Sequence, residues 1–141
     1  MVYYAVIDTN VLVSALLAKS AESAVVRVMF LVLSGQVVPI YSSEILAEYK
    51  EVLKRRKFGF ARQTIDYLIA AVEKFGIYTE PGQTAYNLPD MKDVPFYEIV
   101  MDKRGLDAYL VTGNIKHFPK QPFIVTAREF LNIIGYGGSD V

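Results

Sequence analysis

The sequence predicts an α/β fold of three layers, in which helices cover both faces of a central, mainly parallel sheet. The first observation behind this class is an unbroken apolar run, Val2–Ile7, which has no polar alternation and is typical of a strand buried on both faces. The second is that strand-like segments alternate with helix-like segments along the rest of the chain. A length of 141 residues favours one domain. We expect that domain to span residues 1–134, with a flexible C-terminal tail over residues 135–141.

Short apolar segments bounded by turn residues predict the strands. In chain order the predicted strands are Val2–Ile7, Val37–Tyr41, Ile77–Thr79, Tyr109–Val111 and Ile124–Val125. The second strand contains Pro39, which cannot donate to a sheet ladder, so we expect this strand to be weak or to lie at a sheet edge.

Apolar residues at helical spacing, with caps at the ends, predict the helices. In chain order the predicted helices are Asn10–Leu17, Ser23–Leu33, Ser43–Lys54, Gln63–Phe75, Asp93–Gly105 and Thr126–Ile134. Ser23, either Ser42 or Ser43, and Asp93 are candidate N-caps, and Thr126 with Glu129 matches a capping box. The helices Ser23–Leu33 and Gln63–Phe75 carry an excess of apolar residues, which predicts a homo-oligomer or a partner protein. For Ser23–Leu33, a helix buried in the core is an equally good interpretation.

The composition excludes several kinds of site. The chain has no cysteine and one histidine, so disulfides, thiolate metal sites and multi-histidine zinc sites are excluded. Fifteen basic residues balance fifteen acidic ones, so no global field attracts nucleic acid. No signal-peptide pattern opens the chain, and the longest apolar stretch is too short to cross a bilayer. We therefore expect a soluble cytoplasmic protein with no membrane association.

Polar residues follow two of the predicted strands at the point where each strand ends. Asp8 comes directly after the first strand, and Thr112, Gly113 and Asn114 follow Tyr109–Val111. Because ligand crevices of open α/β sheets form at the carboxyl ends of the strands, we expect these residues to face one crevice. Helix capping by Asp8 and ordinary turn chemistry at Thr112 and Asn114 are the alternatives.

The helix Ser43–Lys54 offers three acids. Glu48 falls at the border of the apolar face, where a carboxylate reaches a crevice beside the core. Glu44 and Glu51 fall nearly opposite that face, so we expect them to be solvated and to pair with basic residues one turn away.

Asp93 is either the N-cap of its helix or a ligand, and Asp90 is a weaker candidate in the same turn. Converging carboxylates hold Mg²⁺ or Mn²⁺, and such ions promote phosphodiester hydrolysis. Asp107 lies at the wrong end of its strand, and His117 is expected to be an ordinary surface residue.

Four segments together resemble PIN-domain proteins, specifically the toxin components of toxin–antitoxin systems. In order, the segments are Val6–Ala15, Ser42–Glu48, Asp90–Asp93 and Tyr109–Phe118. The resemblance implies a doubly wound fold with a central parallel sheet. It also implies an endoribonuclease activity that depends on Mg²⁺ or Mn²⁺, and an antitoxin protein as a partner.

The resemblance also implies roles for individual residues. The catalytic positions fall on Asp8, Glu48, Asp93 and Asn114, and the first three would be the metal ligands. The residues expected to support them by hydrogen bonding are Thr9, Asn10 and Thr112. Asp90 is the alternative third ligand. Asn114 stands where the family often has Asp, which removes one negative charge and counts against a second metal ion.

Three functions follow from these residues. The first is hydrolysis of single-stranded RNA, in which water attacks phosphorus and leaves a 3′-hydroxyl and a 5′-phosphate. The second is a PIN-like RNA- or protein-binding module with weak or no catalysis, which Asn114 and the neutral net charge favour. The third, a phosphotransferase with Asp8 as nucleophile, is disfavoured because Asn10 stands where that chemistry commonly has a second acid.

A basic run follows the helix Ser43–Lys54, beside Phe58 and Phe60. The residues of the run are Lys54, Arg55, Arg56 and Lys57. We expect them to contact the RNA backbone, with one of the aromatic rings available for stacking. A solvated helix end explains the run at least as well.

Overall fold

A computed structural model describes residues 1–82 and 84–136 of the chain. In that part, the strands are β1 (Tyr3–Ile7), β2 (Val37–Tyr41), β3 (Ile77–Tyr78), β4 (Tyr109–Val111) and β5 (Ile124–Val125). The helices are α1 (Thr9–Leu17), α2 (Ala24–Leu33), α3 (Ser43–Leu53), α4 (Arg62–Phe75), α5 (Val94–Asp102) and α6 (Ala127–Ile133). Short 3-10 turns lie at Met91–Asp93, Arg104–Leu106 and Ile115–His117. This is the predicted three-layer α/β/α fold.

The five strands form one parallel sheet in the order β3-β2-β1-β4-β5. The chain builds one half of the sheet outward from β1 to β3, and then returns to the other side of β1 with β4. The reversal of strand order places a topological switch point between the carboxyl ends of β1 and β4, where open α/β sheets bind ligands. The register pairs Ile7 with Val111, so Asp8 and Thr112 are the next residues on these two neighbouring strands.

β1 is the centre of the sheet, and its residues Ala5, Val6 and Ile7 are buried. This confirms that the apolar run is a strand covered on both faces. Pro39 does not place β2 at an edge, because β2 pairs with β1 on one side and with β3 on the other. The interior position is tolerated because β3 begins its pairing at Ile40, one residue after Pro39.

Several predicted helix caps are confirmed. Ser23 accepts a hydrogen bond from the Val26 amide, and Ser42 accepts one from the Ile45 amide. Thr126 and Glu129 form the reciprocal capping box at the start of α6.

Two acids at helix starts do not cap with their side chains. Asp8 and Asp93 occupy the N-cap positions of α1 and α5, but neither side chain accepts a capping hydrogen bond. Instead, the side chain of Asp90 accepts a hydrogen bond of 2.9 Å from the Lys92 amide and caps the 3-10 turn that precedes α5. Side-chain capping, which was the alternative to a site role for both residues, is therefore not observed for Asp8 or Asp93, and both carboxyl groups are available for other contacts.

The first residues of the predicted tail contact the body of the protein. The Tyr136 amide donates to the Leu131 carbonyl at 2.7 Å, and Arg27 donates to the Tyr136 carbonyl at 2.7 Å. The Tyr136 hydroxyl also donates to the side chain of Gln36. The remainder of the predicted tail, residues 137–141, lies outside the described residues. Within residues 1–82 and 84–136, every helix is too short or too polar to traverse a lipid bilayer.

Gly76 is required where α4 turns into β3. A methyl group at this position would lie 2.4 Å from the Val72 carbonyl oxygen and 2.6 Å from the Pro39 carbonyl oxygen. Both are backbone atoms, so relief of this clash requires movement of the end of α4 or of β2.

We predict that Gly76→Ala lowers the free energy of unfolding by about 2 kcal/mol in urea titrations. Gly105→Ala is the control, because a Cβ added at Gly105 has no atom within 4 Å. Equal stability of the two variants would contradict the steric argument.

Candidate active site

An open cleft lies over the carboxyl ends of β1 and β4 and has a volume of about 690 Å³. The three acids expected to be ligands, Asp8, Glu48 and Asp93, all line it. They come from the end of β1, from the middle of α3 and from the start of α5, so the fold brings together residues that are distant in sequence. Asn10 and Asn114 also line the cleft.

Hydrogen bonds from two directions fix the carboxyl group of Asp8, which is only 4% exposed. Thr112 Oγ1 donates to Asp8 Oδ2 at 2.7 Å, and Asn10 Nδ2 donates to the same oxygen at 3.1 Å. Neither of these hydrogen bonds uses Oδ1. A backbone hydrogen bond also joins the ends of β1 and β4, because the Asp8 amide donates to the Val111 carbonyl at 2.9 Å.

Asn10 and Thr112 also organise the loop after β4. The Gly113 amide donates to Asn10 Oδ1 at 2.9 Å, and the Asn114 amide donates to Thr112 Oγ1 at 2.9 Å. A side chain at Gly113 would place its Cβ 3.2 Å from Asn10 Oδ1, so glycine allows this close approach. Asn10 and Thr112 thus join the ends of β1 and β4 by hydrogen bonds.

Glu48 is oriented by Thr9, which directly follows Asp8. Thr9 Oγ1 donates to Glu48 Oε2 at 2.5 Å. The neighbouring Tyr49 is buried in the core, and its hydroxyl donates to the Ile7 carbonyl at 2.5 Å. These two bonds pin α3 to the end of β1 and leave Glu48 half-buried at the cleft, at the border position that its place on the helix predicted.

Asp93 carries the least satisfied polar atom of the site. Its Oδ2 is buried and has no hydrogen-bond partner among the residues that the structure describes. His117 Nδ1 lies 3.3 Å from this oxygen, which is within ion-pair distance but without hydrogen-bond alignment. A buried carboxylate oxygen without a donor is costly, and a cation in the cleft would satisfy it.

The electrostatics of the cleft oppose ionisation of all three acids. Burial raises the pKa of Asp8, and the charge of Asp93 raises it further, against the hydrogen bond from Thr112. Burial and then the charge of Asp8 raise the pKa of Glu48, against the hydrogen bond from Thr9. Burial and the charges of Asp90 and Glu48 raise the pKa of Asp93, against nearby His117. A divalent cation would reverse all three effects.

More acids than bases line the cleft. Besides the three acids above, its wall includes Glu51 and Asp90, whereas its cations are Arg55 and Lys92. Glu51 pairs with Arg55 at 3.2 Å, which confirms its predicted partner one turn away. The basic run therefore divides: Arg55 lines the cleft, while Lys54 lies in a separate groove between α3 and α4.

The donor set suits a hard cation, although the side chains are not drawn tightly together. Within residues 1–82 and 84–136, no three acidic or histidine side chains form a closed metal-binding group. Mg²⁺ retains several waters and is commonly held through only one or two carboxylates, so an open arrangement of oxygen donors is compatible with it. Two observations fit such an ion: Asp93 Oδ2 is buried without an aligned hydrogen bond, and the acids repel one another.

Three residues at the site were not predicted from sequence as part of it. His117 lies on the surface as expected, with 46% of its side chain exposed, and the turn Ile115–His117 also brings it to Asp93. Lys92 lines the cleft, and its charge opposes the raised pKa of Glu48. The position of Lys92 between Asp90 and Asp93 in the sequence could have indicated that it lies at the site. Glu51 reaches the edge of the cleft although it lies opposite the apolar face of α3.

Asp8 is predicted to cost stability in the metal-free protein. Its pKa is raised above the ordinary value of 3.8, so its charge is less favourable in the folded state than in the unfolded state. We expect Asp8→Asn to stabilise the chelator-treated protein by about 1 kcal/mol at pH 7, because asparagine carries no charge and still accepts from Thr112 and Asn10. This advantage shrinks as pH falls through the raised pKa toward 3.8, where Asp8 is protonated.

Urea unfolding at neutral pH and near pH 4 measures the difference. The control is Asp66→Asn on the exposed surface of α4, which we expect to change stability by less than about 0.5 kcal/mol. A loss of stability in Asp8→Asn at pH 7 would contradict the electrostatic argument.

Comparison with known proteins identifies the family of the chain. A sequence profile described as a PIN domain matches residues 4–116, which include every acid of the cleft. No curated protein and no solved structure gives a significant match. PIN domains are typically nucleases, and a cleft of carboxylates at the switch point agrees with that activity. The chain belongs to the PIN domain family.

Proposed function

We propose that this protein is a metal-dependent endoribonuclease that hydrolyses phosphodiester bonds of single-stranded RNA. The observation that supports the proposal most directly is the presence of Asp8, Glu48 and Asp93 in one cleft, with Asp93 Oδ2 buried and without an aligned hydrogen bond. Following the resemblance of its sequence, we further propose that it acts as the toxin of a toxin–antitoxin pair.

Mg²⁺ or Mn²⁺ would be held by Asp8, Glu48 and Asp93, with Asp90 as the alternative to Asp93. The ion would supply activation of water and neutralisation of charge on the leaving oxygen. The chain itself positions the ligands: Thr112 and Asn10 hold Asp8, and Thr9 holds Glu48. Asn114 lines the same cleft and offers an amide to water or substrate rather than a fourth charge, which favours a single ion.

A binding module with weak or no catalysis is the alternative. The observation in its favour is the absence, within the described parts of the chain, of three acidic or histidine side chains that close around one point. Titration calorimetry with Mn²⁺ separates the two functions. A folded protein that takes up no Mn²⁺ at millimolar concentration would favour the module.

The nuclease proposal predicts the effect of neutralising each ligand. We expect Asp8→Asn, Glu48→Gln and Asp93→Asn each to reduce Mn²⁺-stimulated cleavage of a single-stranded RNA by about 100-fold or more, since each removes a charge that holds the ion. Cleavage is measured by gel electrophoresis of an end-labelled RNA, and Mn²⁺ affinity by calorimetry.

Glu44→Gln is the matched control for these variants. It lies on the same helix as Glu48, is exposed and is absent from the wall of the cleft. Cleavage by this variant should equal that of the wild type. Full activity in Asp8→Asn would remove Asp8 from the mechanism and overturn the proposed ligand set.

The partner surface is proposed separately from the cleft. An apolar groove of about 200 Å³ lies between α1, α2 and α4. At its margin Phe30 is 57% exposed and Tyr67 is 65% exposed, although both are large apolar side chains. Apolar surface of this kind favours a protein contact. We propose self-association through this groove, with an antitoxin as the alternative occupant.

Sedimentation velocity at micromolar concentration tests the contact. We expect the wild type to sediment as a dimer and Phe30→Ser to shift toward the monomer, because serine removes apolar area from the interface. Ile133→Ser, an equally exposed apolar site on α6 outside the groove, is the control. A monomeric wild type would contradict self-association.

A further inference from the structure

The cleft continues beyond its carboxylates onto a wall of different chemistry. Arg55 and Phe58 line the same cleft as Asp8 and Glu48. Arg55 follows directly after Lys54, the C-cap of α3, and lies about two helical turns beyond Glu48. A chain molecule bound at the carboxylates and running along α3 therefore passes the guanidinium of Arg55.

In the free protein, Arg55 is occupied by Glu51. Arg55 Nη2 lies 3.2 Å from both carboxylate oxygens of Glu51, and Nε lies 3.3 Å from Oε2. A phosphate presents two oxygens to a guanidinium in the same way. The Glu51 carboxylate thus takes the position on Arg55 that a phosphodiester group would take.

Displacement of Glu51 from Arg55 costs little free energy. The side chain of Arg55 is 42% exposed and that of Glu51 is 65% exposed, and ion pairs with this exposure contribute little to stability. Glu51 lies in the wall of the cleft, so a phosphate that approaches Arg55 must compete with the Glu51 carboxylate for the guanidinium.

Phe58 supplies an aromatic surface beside the guanidinium. Its ring stacks on that of Phe60, with centroids 5.4 Å apart and planes 10° apart. Gly59 has a φ of +66°, a left-handed conformation that favours glycine and folds the chain so that the two rings meet. Lys57 Nζ lies 5.2 Å from the centroid of Phe58. Phe60 stacks on the Phe58 ring and Lys57 lies over it, so a base that stacks on Phe58 would take the place of the Lys57 ammonium group.

We propose that Arg55 and Phe58 form a subsite for one nucleotide of single-stranded RNA, and that Glu51 competes with the RNA phosphate for Arg55. This inference rests on the proposed ribonuclease function and adds how its substrate is recognised. Paired bases are buried in a duplex and do not reach Phe58, so the subsite selects unpaired strands. A ligand binds Arg55 only if it displaces the Glu51 carboxylate from the guanidinium.

The test is binding of a short fluorescein-labelled oligouridylate in EDTA, followed by anisotropy over a range of salt concentrations. EDTA prevents metal-dependent cleavage, so binding at the subsite is measured apart from catalysis. We expect Arg55→Gln to weaken binding by about 10-fold and to lower the salt slope by about 0.7, the value for one phosphate contact on a single strand. Glu51→Gln should tighten binding several-fold, and this gain should vanish in the Glu51→Gln/Arg55→Gln double variant.

Phe58→Leu should weaken binding of the oligouridylate by about 10-fold and leave binding of an abasic strand unchanged. The matched controls are Arg62→Gln and Asp66→Asn, which alter an exposed pair with the same spacing on α4, outside the cleft. Circular dichroism and thermal unfolding confirm that every variant is folded.

Unchanged binding in both Arg55→Gln and Glu51→Gln would overturn the proposal, as would a wild type that binds no oligonucleotide in EDTA or binds a duplex equally well. Failure of the nuclease proposal has a different signature. Binding would respond to Arg55 and Glu51 as described, while Mn²⁺ would stimulate no cleavage.

Discussion

Three carboxyl groups share one partly desolvated cleft, and each is held where the charge of another opposes its ionisation. The charge of Asp93 acts on Asp8, that of Asp8 on Glu48, and that of Glu48 on Asp93. Such an arrangement is unfavourable in the absence of a cation, so the rest of the protein must hold it in place. Three features of the fold hold the carboxyl groups in place: the sheet order, the position of α3 and the turn before α5.

Hydrogen bonds between the ends of β1 and β4 hold Asp8 in this arrangement, and Thr112 is the central residue among them. Its amide donates to Val125 on β5, its hydroxyl donates to Asp8 after β1, and the same hydroxyl oxygen accepts from the Asn114 amide. Thr112 is fully buried, so these bonds are shielded from water and fix geometry across three strands. A parallel sheet with its switch point here is what brings the donors of β4 to the carboxylate of β1.

Much of the fold and part of the site follow from local sequence. The apolar run before Asp8 specifies a buried strand, and helical periodicity alone places Glu48 at the border of α3. The outcomes that depend on distant partners were not predictable in this way. Pro39 lies in an interior strand because of where β3 begins its pairing, and His117 approaches Asp93 because a 3-10 turn follows Asn114. The choice of Asp90 rather than Asp93 as the side-chain cap depends on the turn that joins them.

The charge of the cleft constrains how it binds a polyanion. The chain as a whole is neutral, and the cleft is lined by more acids than bases, so binding of RNA without an ion would depend on local contacts such as that of Arg55 and not on a long-range field. Of its two cations, Arg55 is already paired with Glu51, and the charge of Lys92 only partly opposes the rise that burial causes in the pKa of Glu48. A divalent ion held by Asp8, Glu48 and Asp93 would neutralise these acids and leave Lys92 free for the substrate, whereas Arg55 is released only when the substrate displaces Glu51. Ion and RNA would then strengthen each other's binding, since each relieves a repulsion that opposes the other.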